Sequence, residues 1–332
     1  MTSLPAGASI SIVTSSPGLD YASIEAVVTV PTFRRPQQVL ETLQSLRSQK
    51  TKRRFAVVLV ENEAEKREGA AAAKSWFDDG LLQGMLIIAH DRGNCCAYNA
   101  GFLTTVTYFP NFKYALVVDD DELADPDWLE NMCATAERLG VDVVGGPQIP
   151  VFARPEHSKW AAHPVFSAHY RETGVVPILY SSGNMLLSRK VMDTMGPPYL
   201  DLRFNFMGGG DSDFLSRTAQ RGFRLAWCNE AIIRETVPER RVEADWIRAR
   251  SLRNGVISTL VEKKKRAGTP FANTKVFVKS LLLLGASPFR GFLKLCKTGS
   301  ISIALYPVYI GAGRVMAEFG YANEQYRQPE KN

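Results

Sequence analysis

The chain has 332 residues, of which 45% are apolar and 22% charged, a composition that excludes a disordered polypeptide and leaves room for one large domain with an appendage. Residues 239–297 hold 14 of the 40 Lys and Arg but only 4 of the 34 Asp and Glu. The formal charge of +6 is therefore a basic stretch of +10 joined to a mildly acidic body of −4, which points to an anionic partner for the C-terminal region. Five cysteines without a CxxC spacing argue against a disulfide framework or a structural zinc site and fit a reducing cytosol. The opening residues lack the basic and apolar blocks of a secretory signal, and no stretch reaches the roughly 18 uncharged apolar residues expected of a spanning helix.

Residues 1–22, rich in Ser, Thr, Gly and Pro, read as a loose leader. Short β-branched runs then alternate with helical stretches. Strands are expected at 24–30, 55–60, 85–89, 114–118 and 141–144, and helices at 36–48, 64–77 and 95–108, with a further helix begun by Asp125-Pro126 and ending near Gly140. This order predicts a mostly parallel sheet covered by helices on both faces, an α/β domain over 23–240. Residues 150–178 read as a long loop, followed by a strand at 184–187, helices at 189–195 and 211–221, and strands at 223–227 and 231–234. From 241 to 332 the pattern is helical, basic and amphipathic.

In an open α/β sheet, ligands bind beyond the carboxyl ends of the strands. Those ends carry Pro31-Thr32-Phe33-Arg34-Arg35, then Glu61-Asn62, then Asp91-Arg92-Gly93-Asn94, then Asp119-Asp120-Asp121. Side chains alternate along a strand, so Asp119 and Asp121 can point the same way, and two such carboxylates repel unless a cation lies between them. Mg²⁺ or Mn²⁺ with a diphosphate is the expected partner. Asp125 fills the helix-cap role, so the triple Asp is not required for it. Trp160 offers a stacking surface for a sugar acceptor. His157, His163 and His169 have no metal-ligand spacing, and Cys95 and Cys96 read as packed helix residues. Arg250 and Arg253, three apart, share a helix face.

The stretches VTVPTFRRPQQVLETLQSL, RGNCCAYNAGF, VVDDDELADPDWL, SSGNMLLSR, GGGDSDFLSRTAQRGFRLAW and RARSLRNG, spread over 24–255, together resemble the family-2 inverting glycosyltransferases with the GT-A fold, notably bacterial members that build exopolysaccharides or glycolipids. The resemblance implies that Pro31, Thr32, Arg34, Glu61, Arg92, Asn94, Asn99 and Asp119–Asp121 hold the nucleotide-sugar, and that Asp119 and Asp121 bind the metal. It implies that Asp211 is the general base, and that Asn184, Asp213, Arg250 and Arg253 serve the diphosphate or the acceptor. Tyr98 stands where the family has Arg, Glu61 where it usually has Asp, and Gly210 where it has Glu. The implied donor is UDP-linked and the implied acceptor a lipid-linked glycan or lipid, at the inner face of the cytoplasmic membrane.

Two alternatives follow from the same residues. A sugar-1-phosphate nucleotidyltransferase would need a Gly-rich basic loop where Pro31-Thr32-Phe33 stands, and a non-catalytic membrane scaffold is motivated by Gly210. In the tail, Lys263–Arg266 and the cations that interleave with large aliphatics farther on predict helices lying on a membrane surface; nucleic acid is disfavoured because stacking aromatics are lacking.

Overall fold

The structure is a computed structural model that describes residues 9–321 and 327. The elements in chain order begin with β1 (Ile10–Ser15), β2 (Ala26–Thr32), α1 (Pro36–Arg47), β3 (Phe55–Glu61), α2 (Glu68–Asp78), β4 (Gly84–Ala89) and α3 (Asn94–Tyr108). They continue with β5 (Tyr114–Val117), β6 (Glu122–Ala124), α4 (Trp128–Leu139), β7 (Val143–Gly145), β8 (Gln148–Phe152), β9 (Gly174–Val176), β10 (Met185–Ser188) and α5 (Arg189–Met195). The last are α6 (Gly210–Gln220), β11 (Leu225–Trp227), β12 (Ile233–Val237), α7 (Ala244–Lys265), α8 (Ala272–Thr298) and α9 (Ile301–Glu318).

The chain divides into two compact units, one of residues up to Gln148 with Tyr170–Glu235 and residue 327, the other of Ile149–His169 with the helices that follow Thr236. The sequence boundary at 240 thus falls at 235, and residues 149–169 join the helical unit.

The first unit is built on a nine-stranded sheet of order β1-β4-β3-β2-β5-β10-β7-β11-β9. The four strands β4, β3, β2 and β5 run parallel, as do β7 and β11. β10 lies antiparallel between β5 and β7. Every residue of β2 and β4 is buried, which is why these strands read as unbroken apolar runs. The core is Val28, Val30, Leu59 and Leu116 from the sheet, with Val39 and Leu43 of α1, Phe77 of α2 and Trp128 of α4 packed on it.

The structure departs from the expected elements in several places. The leader reading fails at Ile10–Ser15, which form an edge strand antiparallel to β4 and pinned by the Ser16 hydroxyl to the Leu82 carbonyl at 2.7 Å; residues 1–8 lie outside the described residues. Half of its side chains face solvent, so it lacks an apolar signal. Asp125 and Pro126 do not start α4. β6 pairs with β12 through Ala124–Ile233 and Glu122–Glu235, Asp125 binds Arg234 at 2.9 Å, and the helix begins at Trp128. The expected loop 150–178 contains the end of β8, a 3-10 helix at Pro155–Ala162, and β9.

In the second unit α9 packs on both α7 and α8 at very short range. A Cβ on Gly313 would lie 2.0 Å from the Leu252 carbonyl of α7, and one on Gly291 of α8 would lie 2.6 Å from the Ala304 carbonyl of α9. Against the sequence expectation, α8 is long and apolar enough to cross a membrane by length and composition, since it spreads its apolar residues between widely spaced cations instead of in one uncharged run.

Polar bonds lock the three helices. Glu262 of α7 accepts from Arg314 of α9 (2.8 Å) and Lys279 of α8 (2.8 Å), and Arg314, only 3% exposed, also donates to Ser258 at 2.7 Å. Burial raises the Glu262 carboxyl, but Lys279 and Arg314 outweigh it and hold it down to about 2. A carboxyl depressed in the folded state stabilises above its ordinary pKa, and that stability is lost as pH falls from about 4.5 toward 2. Replacing Arg314→Met leaves Glu262 short of a buried partner and is expected to cost about 2–4 kcal/mol at pH 7. The deficit should shrink below pH 3 in urea titrations followed by circular dichroism.

Candidate active site

The carboxyl ends of β2, β3, β4 and β5 bring the predicted loops of the first unit together, and the hub is Asp120. Its carboxylate, buried at the end of β5, accepts from Thr32 Oγ1 (2.8 Å) and the Phe33 amide (3.3 Å), and it pairs with Arg35 (2.7 Å). Arg35 also reaches Asp121 at 2.9 Å. Thr42 of α1 donates to the Asp120 and Glu122 carbonyls, fixing the turn from below. Asp120 therefore holds the Pro31–Arg35 loop against the triple-Asp turn. Its carboxyl is raised by burial, with Arg35 pulling the other way.

Two guanidinium groups approach the Phe33 ring, Arg34 at 4.9 Å and Arg92 at 5.2 Å from the centroid. Arg34 also bonds Glu63 at 2.5 Å; burial lifts the Glu63 carboxyl, but Arg34 more than offsets it and keeps it ionised. The loop carrying Arg92 and Asn94 is strapped from two sides. Asn62 donates to the Asp91 carbonyl (2.8 Å) and accepts from the Gly93 amide (2.7 Å), and Asn205 donates to the Arg92 carbonyl (2.9 Å). Gly93 sits at φ 128° with Asn205 where a Cβ would be, so only glycine serves there. Asn94, exposed, opens α3.

Asp119 and Asp121 flank this hub, both half-buried. Tyr98 of α3, the residue in place of the family Arg, donates its hydroxyl to Asp119 Oδ1 at 2.5 Å. The Asp119 amide donates to Glu122, whose carboxylate is also bonded by Gln148, and Gln148 in turn accepts from Ser181 at 2.7 Å. Gly183 closes against the same group, since a Cβ there would lie 3.0 Å from Asp119 Oδ2. Burial first, then the charges of Asp121, Asp120 and Glu235, push the Asp119 carboxyl up to about 7. Glu122 is pushed well above its usual range by burial, Asp119 and Glu235. The site is a knot of crowded, desolvated carboxylates.

Asp211 lies in the first turn of α6, where the helix dipole favours an ionised carboxylate. The cap is Gly209, not Asp211, and Asp211 Oδ1 accepts from the Ser212 amide. The Ser212 hydroxyl donates to the Tyr180 carbonyl at 3.3 Å, so the segment 180–183 joins the start of α6 to the Asp119 group. Gly210, the position of the family Glu, packs on α3: a Cβ there would lie 2.6 Å from Cys95 Sγ. Burial, then the charge of Asp211, pushes the Cys95 thiol up. A Glu at 210 would therefore crowd the Cys95 side chain.

Four other predicted residues spend their polar atoms on the fold. Glu61, fully buried, accepts from the Glu63 and Ala70 amides (2.9 Å each), which fixes the turn into α2. Asn99 clamps the Leu200 backbone from both sides at 2.8 Å. Asn184 accepts from Trp128 Nε1 (2.8 Å) and donates to the Pro147 and Ala231 carbonyls. Asp213 pairs with Arg217 one turn along α6 at 2.8 Å. Pro31 is the sixth residue of β2, buried beside Thr32.

Trp160, Arg250 and Arg253 belong to the second unit. There Trp160 lies edge-on to the buried His163 at 5.9 Å, with Tyr306 on the other side at 5.6 Å, and burial pushes the His163 imidazole down to about 4. Arg250 is half-buried and Arg253 buried on α7. Glu122, Gln148 and Asn205 were passed over in the sequence, and Asn62 and Tyr98 were noted there without the contacts they make. Tyr98 carried a signal, as a departure from the family pattern.

The carboxyl edge of this α/β sheet thus carries paired carboxylates beside basic loops. The family model described as glycosyl transferase family 2 matches residues 27–196, and that described as glycosyl transferase family group 2 matches 114–313. The first covers more than half of the chain, which belongs to glycosyl transferase family 2. The chain is 27% identical over 247 residues to the succinoglycan biosynthesis protein ExoM of Rhizobium meliloti (strain 1021), covering 69% of this chain and 72% of that protein. In fold it is similar to S. aureus TarS 1-349 in complex with UDP, with a TM-score of 0.51 at 13% identity over 90% of this chain and 91% of that one. The complex with UDP-GlcNAc aligns over the same shares, with a TM-score of 0.50 at 13% identity. The chain spans 55% of the longer TarS chain, also at a TM-score of 0.50 over 86% of this chain and 14% identity.

The Gly210–Cys95 contact yields a test. Gly210→Glu should destabilise the protein by about 2 kcal/mol through overpacking, and Cys95→Ala should recover at least half of that loss. Additive effects of the two changes in urea unfolding would contradict the steric account.

Proposed function

We propose that the chain is a metal-dependent, inverting glycosyltransferase that moves a sugar from a UDP-linked donor to a lipid-linked glycan or lipid acceptor, in the synthesis of a cell-surface polysaccharide. The observation that carries this reading is the pairing of Asp119 and Asp121 at the end of β5 with Asp211 at the start of α6, bridged by the segment 180–183. The TarS complexes with UDP and UDP-GlcNAc support the donor class, and the role of ExoM in succinoglycan biosynthesis supports the polysaccharide setting.

The donor set fits a hard divalent cation, Mg²⁺ or Mn²⁺: Asp119 and Asp121 offer oxygen ligands in a desolvated place where their mutual repulsion favours a counter-charge. Among the described residues no group of three or more potential ligand side chains is arranged to hold a metal, so diphosphate oxygens would complete the shell. When bound, the cation would neutralise charge on the leaving diphosphate. Tyr98 orients Asp119, and Arg34 and Arg92 add positive charge beside Phe33 for the nucleotide end. Asp211 accepts the proton of the acceptor hydroxyl as its oxygen attacks the anomeric carbon from the face opposite the diphosphate. One displacement inverts that carbon. The enzyme works in the cytoplasm, peripherally at the inner face of the cell membrane, and takes no nucleic acid partner. Asp213 acts by holding Arg217, Asn184 by tying Trp128 to the Pro147 and Ala231 carbonyls, Glu61 by fixing the turn into α2 and Asn99 by holding the Leu200 backbone.

Manganese-dependent UDP release is the direct assay. Asp211→Asn should lower kcat by about 10²–10⁴ with donor affinity changed less than about threefold. Equal turnover in both proteins would remove Asp211 as the base, and no turnover with any donor and acceptor pair would overturn the reading. NMR of the product linkage checks inversion.

The cation also competes with a proton on Asp119. Because that carboxyl sits near 7 without metal, Mn²⁺ affinity should rise up to about tenfold per pH unit below 7 and level off above it, with proton release visible in calorimetry across buffers.

A further inference from the structure

α8 carries its residues inside out for a helix in water. The positions it turns into the three-helix unit are small or modest: Val276, Ser280, Ser287 and Gly291. Its large residues face outward, with Leu282 69%, Phe289 67% and Phe292 61% exposed, and Val278, Leu281 and Leu293 about half exposed. These outward positions follow one helical stripe, at steps of three and four residues, and the stripe lies opposite the packed one. A soluble helix buries its aliphatics and aromatics and shows its Ser and Gly. Small residues at the helix–helix contact with large apolar ones facing away is the pattern of helices whose outer surroundings are lipid.

The charges set the orientation. α8 has five cations, Lys275, Lys279, Arg290, Lys294 and Lys297, and no carboxylate. At about 100° per residue, Lys275, Arg290 and Lys297 lie within about 60° of one another along one flank of the apolar stripe, while Lys279 on the same side is paired with Glu262 of α7. A spanning helix would place Lys279 and Arg290 in hydrocarbon. A helix lying flat sinks the stripe below the headgroups and leaves the cationic flank at phosphate level. No Asp or Glu of α8 opposes an anionic surface.

We propose that the outward face of α8 is a membrane-docking surface that lies in the interface of an anionic lipid bilayer, with Leu282, Phe289 and Phe292 as the inserted residues and the flank of Lys275, Arg290 and Lys297 as the headgroup contacts. The proposal deepens the reading of a membrane-presented acceptor by naming the surface and the lipid class. It is tested without donor or acceptor, so a chain that docked but transferred no sugar would refute the activity alone.

The experiment is flotation of the full chain with vesicles of phosphatidylcholine alone or with 30% phosphatidylglycerol, a composition chosen as a roughly bacterial-like charge density. The native chain should float with the anionic vesicles and about tenfold less with the neutral ones. Leu282→Ser/Phe289→Ser/Phe292→Ser should lose binding by at least about tenfold with an unchanged circular dichroism spectrum, because all three side chains are already exposed. Lys275→Gln/Arg290→Gln/Lys297→Gln should erase the preference for anionic lipid. Native-like flotation of the Ser variant would overturn the proposal, as would retention of the chain in vesicles after alkaline carbonate, which marks a spanning helix. A sedimenting dimer that the Ser variant abolishes, without vesicle binding by the native chain, would assign the face to a second copy and overturn it equally.

Discussion

Carboxylates crowded at one sheet edge are the constraint around which the first unit is organised. Asp119, Asp121, Glu122 and Glu235 gather where β5 ends and β6 pairs with β12, in a place too dry to screen them. Each neighbouring arrangement answers that repulsion. Arg35 spans Asp120 and Asp121, Tyr98 donates to Asp119, Gln148 donates to Glu122, and the Thr32 and Phe33 donors draw the β2 loop onto Asp120. On the metal-dependent reading proposed above, a cation would complete this neutralisation.

The parallel strands were legible because burial on both faces writes itself as Val and Ile runs, and their carboxyl ends could be inspected one by one. Asp119 and Asp121 stood out as acids beyond a strand end and Asp211 through the family resemblance; the structure places the first two after β5 and the third in the first turn of α6. Glu61, Asn99 and Asn184 show the limit. A polar residue in a family motif can face the ligand or hold the loop that does, and its partner, such as the Leu200 backbone for Asn99, lies about a hundred residues away. β1 and β6 escaped because an edge strand and a three-residue strand carry no period. In α8 the amphipathic spacing was readable from the sequence, but which stripe packs on α9 was not.

Tyr98 and Gly210 illustrate how departures from a family pattern can compensate locally. The first replaces a charge by a hydroxyl that reaches Asp119 directly, and the second lacks a carboxylate that would crowd the Cys95 side chain. Both replacements involve the first turns of α3. This helix therefore sets the spacing between the triple-Asp turn and α6, and its N-terminal residues would have to change as a group.

β10 is an interior strand of the central sheet that runs against both of its neighbours, and the reversal has a topological effect. In a uniformly parallel sheet, every residue at the carboxyl edge leaves a strand. Here residues 180–184 arrive at that edge on their way into β10, so two kinds of chain meet there with opposite polarity. Outgoing turns, such as those after β2, β3, β4 and β5, are anchored on the strands behind them; the incoming segment is anchored ahead of itself, by the pairing of β10 with β5 and β7. Length can be added upstream of residue 180 without moving the outgoing turns, so the two sides of the edge are free to diverge at different rates.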